Sequence, residues 1–208
     1  PFNVSSENRV RASKFPTAAI YSADPLGGGT RVESSGIRCP RGLAYNSFTQ
    51  LYMTNDGMEL RGTRPIADDP DALLKVTPHT WYGFPDYSTD LEPITDARFQ
   101  PKGDMLKLLV KSGYPEISFL IDHNASNFGV GIAPLRNTLL QASFPSLSGA
   151  GLFDFVPDDS PFSDIIGNAI IPLSGDRAPF ATSGEKLIAP VGFKVVRFDP
   201  VTRDVVDF

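Results

Sequence analysis

The chain has 208 residues, enough for one domain with a sizeable core or for two small ones. Its composition is 41% apolar, 21% charged and 11% aromatic with no low-complexity tract, that of an ordinary globular protein rather than a disordered one. A net charge of −5 argues against a nucleic-acid partner, which needs clustered Lys and Arg. No apolar run approaches the roughly 20 residues needed to cross a bilayer.

The chain opens Pro1-Phe2-Asn3-Val4, with neither an initiator Met nor a signal-peptide pattern, so it is expected to be processed or cut from a longer one. With 19 Pro and 18 Gly, many short elements joined by turns are expected. Short β-rich runs closed by turn residues follow at 18–22, 42–45, 51–54, 72–76, 117–121, 151–155, 169–173, 193–199 and 205–208. Apart from 104–111, no stretch repeats its apolar residues at helical spacing. The run 193–199 alternates, putting Phe193, Val195 and Arg197 on one face. Two hairpins are expected, 42–45 with 51–54 and 193–199 with 205–208. The stretches 58–71 and 124–144 read as long loops, of the kind that carry function in compact domains. The pattern is all-β: a sandwich, barrel or propeller. No clean internal repeat chooses among them.

Single residues add little. Cys39 is alone, so no internal disulfide forms; burial as a small apolar residue is preferred to pairing with another chain's thiol. His79 lies in a Thr-Pro-His-Thr turn and is expected to be exposed, whereas His123 follows an apolar run and is the better candidate for a catalytic base. Two glycosylation sequons, Asn3-Val4-Ser5 and Asn124-Ala125-Ser126, point weakly to secretion.

Five ordered segments are more specific. Gly36-Ile37-Arg38-Cys39-Pro40-Arg41-Gly42-Leu43-Ala44 resembles the Gly-x-Arg-Asn-Pro-x-Gly-Leu-Ala stretch of soluble glucose/sorbosone dehydrogenases, the quinoprotein sugar dehydrogenases. Leu51 to Gly57, Arg61 to Pro65 with Pro70 to Leu73, and Trp81-Tyr82-Gly83-Phe84-Pro85-Asp86-Tyr87 follow in that family's order. Gly192-Phe193-Lys194-Val195-Val196-Arg197 is similar to its Gly-Tyr-Lys-Val-Val-Arg strand.

The resemblance implies a six-bladed β-propeller of four-stranded antiparallel blades, of which residues 1–208 form the C-terminal portion as a single domain. The rest of the ring is then expected from a preceding segment, as a second chain or cleaved fragment. Otherwise the half-ring would expose unpaired edges. The resemblance also implies a secreted glycoprotein that moves a hydride from the C1 carbon of a sugar to pyrroloquinoline quinone, with calcium bridging to the quinone. In that frame Arg38, Arg61, Arg64 and Arg177 would hold the quinone carboxylates, as bidentate guanidinium groups suit. Asp56, Gly57 and Met58 would offer backbone carbonyls to calcium, a hard cation that takes oxygen ligands. Trp81 and Tyr82 would stack on the sugar, while the family's usual base histidine would lie in the absent half, so His123 stays a candidate base on its own position alone. Each has a plainer alternative: an acid-paired arginine between blades, an Asp-Gly turn, aromatics packed between blades. Cys39 stands where the family has Asn, and Pro145-Ser146-Leu147-Ser148 lacks the family's His in a Pro-His-Ser segment. Two further readings keep the propeller without the quinone: a sugar lyase or hydrolase, and a non-catalytic carbohydrate- or protein-binding ring.

Overall fold

The structure, a computed structural model, describes residues 17–59, 65–103, 133–176 and 191–208. Three sheets follow one another along the chain. The first has three strands among the described residues: β1 (Ala19–Ala23) runs antiparallel to β2 (Thr30–Ser35), which pairs in parallel with the two-residue β6 (Thr80–Trp81). The middle sheet is an antiparallel meander of β3 (Pro40–Tyr45), β4 (Leu51–Asn55), β5 (Asp71–Lys75) and β7 (Leu140–Phe144). The last is a second four-stranded meander of β8 (Asp154–Phe155), β9 (Ala169–Leu173), β10 (Lys194–Phe198) and β11 (Val205–Asp207). The described residues are therefore nearly all β, with two four-stranded antiparallel sheets beside a smaller mixed one.

Side-chain alternation explains the stacking. In β4 and β5, Tyr52, Thr54 and Leu73 point to one side while Met53, Ala72 and Leu74 point to the other. The first set meets Phe153 and, from the last sheet, Phe155, Ala169, Ile171, Leu173, Val196 and Phe198. There the Tyr52 and Phe155 rings meet edge-to-face at 5.1 Å, and Thr54 Oγ1 donates to Gly151 O at 2.8 Å. Gly42 allows the approach, because a Cβ there would lie 3.0 Å from Gly151 O. The second set packs with Ile20, Ile37 and Tyr82 under the first sheet. Each fully buried large apolar side chain in these layers contributes roughly 1.5–3 kcal/mol.

Both expected hairpins form, and the run 169–173 is a strand over its whole length. Only the end of 151–155 joins the ladder, through Asp154–Phe155. The stretch 124–144 is not all loop: its described part holds a helical turn, Arg136–Leu139, and then β7, with Leu139 buried in one core cluster and Phe144 in the other. β2 and β6 were not expected, since Thr30–Ser35 is largely polar and Thr80–Trp81 is too short to show a period. The run 117–121 and the stretch 104–111 lie outside the described residues. Cys39 is half-buried and free rather than a core residue, sitting where the chain turns into β3. His79 is exposed, as expected, at φ +59°.

Candidate functional site

Antiparallel pairing brings the start of β3, the end of β4, the start of β5 and the end of β7 to one end of the middle sheet. The segment after β7 crosses from there to the end of β9, where Ser174 N donates to Gly149 O at 2.9 Å and Gly175 N to Ser148 O at 2.8 Å. At this junction lies a cavity of about 140 Å³ whose lining includes Arg41, Asp56, Gly57, Glu59, Asp71, Ser174 and Asp176. That is smaller than the roughly 300–1,000 Å³ of a small-molecule site.

The turn after β4 forms its floor. Gly57 N donates to Asp71 Oδ1 at 2.7 Å, and Met58 N to Asp69 Oδ2 at 2.6 Å. Asp71 Oδ2 also accepts from Gly149 N at 2.6 Å and Ser148 Oγ at 3.0 Å, so one buried carboxylate ties the turn to the crossing segment. Asp69 accepts further from Thr89 N at 2.7 Å, and complete burial pushes its carboxyl up to about 7 against those hydrogen bonds. The turn's carbonyls face Arg38, whose Nη1 donates to Asp56 O at 3.4 Å and Gly57 O at 2.5 Å. Arg38 Nη2 lies 3.7 Å from Glu59.

Arg41 borders the cavity with its side chain 54% exposed and donates from Nε to Asp56 Oδ2 at 2.6 Å. Burial, and then the nearby Asp71 charge, raise the Asp56 carboxyl despite Arg41. Asp56 Oδ1 is buried with no hydrogen-bond partner among the described residues.

The structure thus gathers Arg38, Asp56, Gly57 and Met58. Met58 buries its side chain with Ile66, Ile94 and Phe99. Trp81 and Tyr82 are elsewhere, and their expected sugar contact gives way to packing. Trp81 is 4% exposed, edge-on to Tyr87, and a Cβ on Gly36 would collide with its ring at 2.3 Å. Tyr82 is 2% exposed, its hydroxyl donating to Lys75 O and accepting from Thr77 N, and burial pushes its pKa up to about 12. His123, Arg61, Arg64 and Arg177 lie outside the described residues.

Sequence reasoning missed Arg41, Asp69 and Asp71. Arg41 stands three residues after Arg38 and just ahead of the run 42–45, but its position beside the cavity depends on β3 starting at Pro40. Asp71 lies in a segment already noted for its resemblance, yet no sequence pattern shows that its partners would include residues of the segment 145–151.

The calcium and quinone that the resemblance implies can be tested against these residues. The Asp56 and Gly57 carbonyls already accept a guanidinium, so they do not fit calcium. The lining sets Asp56, Glu59, Asp71 and Asp176 against Arg41, so the described wall alone does not fit a tricarboxylate either.

A larger groove of about 380 Å³ lies between β7 and β11, lined among others by Arg136, Gln141, Arg203 and Val205.

No family model and no curated protein matches the chain. Among solved structures it is similar to an iodide structure of a Trichoderma reesei carbohydrate-active enzyme of family AA12, at 14% identity and a TM-score of 0.45, over 83% of this chain and 39% of that one. The holo form of the pyranose dehydrogenase PQQ domain from Coprinopsis cinerea matches at 16% identity and a TM-score of 0.43, over 81% and 38%. The PQQ-bound aldose sugar dehydrogenase from Streptomyces coelicolor matches at 14% and 0.36, over 86% and 35%. The chain spans less than two fifths of the length of each protein it is similar to.

Proposed function

We propose that this chain forms one wall of a sugar-oxidising propeller enzyme of the quinoprotein dehydrogenase kind, transferring hydride from sugar C1 to pyrroloquinoline quinone. The supporting observation is convergence: Arg38, Arg41, Asp56 and Gly57 from two of the resembling segments, Asp71 from a third, and Gly175 against Phe193 of the last all meet at one end of two stacked blades. In this reading the quinone carboxylates are held by Arg61, Arg64 and Arg177, His123 is the base, and the rest of a six-bladed ring comes from the preceding part of the protein. Arg38 is spent on the turn. The protein is secreted in this reading.

A second reading is favoured by the acid-rich lining. Asp56, Glu59 and Asp176 beside Arg41 suit the hydroxyls of a carbohydrate without any quinone, as in a lyase, a hydrolase or a binding ring. Titrating the protein with pyrroloquinoline quinone while following absorbance, then adding aldoses and a redox dye, separates the two. A spectral shift with dye reduction is the expected result. No shift and no dye reduction with any aldose, together with oligosaccharide binding, would leave the second reading standing.

A further inference from the structure

We propose that Arg38 is the protein's own cation at the Asp56–Gly57 turn: its guanidinium takes the carbonyl seat that the sequence resemblance assigns to calcium, and the turn is organised without a divalent ion. The inference rests on reading this turn as the counterpart of the family's calcium turn, and it does not require the quinone.

Three observations carry it. First, the turn is gripped from both sides. Its amides donate to the Asp71 and Asp69 carboxyl groups, while its carbonyls accept from Arg38. A carboxylate on the N–H side and a cation on the C=O side satisfy the peptide groups of a buried turn without outside help.

Second, the turn has no room to turn its carbonyls elsewhere. A Cβ on Gly57 would lie 2.3 Å from Asp69 O and 2.7 Å from Pro70 O, so the main chains at 57 and 69–70 are already in contact. Calcium needs six to eight oxygens at roughly 2.3–2.6 Å. To bind Gly57 O it would have to share that oxygen with a fixed positive charge whose nitrogen is 2.5 Å away.

Third, the remaining donors do not compensate. Among the described residues no group of three or more His, Cys, Asp or Glu side chains is arranged to hold a metal. Asp56 Oδ2 is committed to Arg41 and both Asp71 oxygens accept main-chain amides, which leaves the single unpartnered Asp56 Oδ1, far short of six oxygens.

The test is thermal denaturation and calorimetric titration with calcium alone, on the protein and on Arg38→Met, which keeps a long stem without the charge. A calcium site filled a hundredfold above its dissociation constant raises the midpoint of a chain this size by roughly 5–10 °C. The unmodified protein is expected to melt at the same temperature in chelator and in millimolar calcium, with no binding heat. Arg38→Met is expected to melt lower, in chelator and in calcium alike, because the other donors at the turn are committed. A calcium-dependent rise in the unmodified protein overturns the proposal, as does an Arg38→Met protein that melts at the temperature of the unmodified one. Should Arg38→Met not fold, the unmodified protein and Arg38→Lys decide, since calcium sensitivity in either one overturns it. The quinone titration is read separately, so its failure leaves this outcome intact.

Discussion

The middle and last sheets are built alike, four antiparallel strands in sequential order, yet they are covered differently. Apart from their end residues Leu51 and Lys75, every position of β4 and β5 is buried, because the middle sheet lies between two neighbours. In the last sheet only the Val196 and Phe198 side of β10 is buried, and all of β11 is exposed. The outward side is not polar. Cross-strand register puts Pro172 beside Val195 and Val206 beside Arg197, with Phe208 one step along. Val195, Val206 and Phe208 are 36%, 41% and 70% exposed. Strands apolar on both faces suit a sheet with a neighbour on each side, as the middle sheet has. That is the structural support for a further part of the ring on this face.

Substitutions inside the covered sheet are expected to have the largest effect. Leu73→Ala removes a fully buried side chain from the layer between the two sheets and should cost about 2–5 kcal/mol, read by urea denaturation. A loss near zero would mean that the two sheets do not pack as described. Next comes Asp71→Ala, which strands the Gly57 and Gly149 amides and should cost about 2–4 kcal/mol. It should also expose those amides to hydrogen exchange, whereas Leu73→Ala should leave them protected relative to the rest.

Much of the fold was legible, because alternation and turn residues report which side of a strand is covered. The run 169–173 alternates Ala169, Ile171 and Leu173 inward, and it was found to its ends. β7 was missed because it follows a Leu-rich stretch with no turn residue to open it, so its strand character depends on pairing with β5. The site was half legible. The run from Asp56 to Met58 was found from resemblance, but the sequence could not show which charge would face its carbonyls. Arg38 and Arg41 are alike in sequence. They differ only in that β3 begins between them, leaving one over the turn and the other at the cavity. Trp81 and Tyr82 misled for a related reason: an aromatic pair looks the same whether it lines a cleft or fills the space beside Gly36.

Acidity should act on the covered sheet in a defined direction. The Asp69 carboxyl is raised from 3.8 to about 7, chiefly by burial. The folded protein therefore holds a proton there that the unfolded chain releases between those values. This contribution to stability is full below pH 4 and is lost as pH rises through 7. Asp56, also raised mainly by burial, adds in the same sense. The urea midpoint is expected to fall between pH 5 and pH 8, and Asp69→Asn should flatten that fall while lowering stability overall, since its amide group would oppose the Met58 or Thr89 N–H. An unchanged slope in Asp69→Asn would assign the pH response elsewhere.

The smallest stability effect is expected on the outward face, and it bears most directly on the contrast between the sheets. Val195→Thr keeps shape and β-propensity, and should change the stability of the chain by itself by less than about 0.5 kcal/mol. If that face receives another blade, the same position becomes a core position in the assembly, where a buried unpaired hydroxyl costs about 1–3 kcal/mol. Val195→Asp with Phe208→Asp should then abolish association while leaving the denaturation curve of the chain alone nearly unchanged. Sedimentation of the natively purified protein reads this directly: a second polypeptide should travel with the unmodified chain and be lost from the double variant. A chain that sediments as a stable, compact monomer with no companion would break the comparison, because an apolar face that needs no cover is not the edge of an unfinished stack.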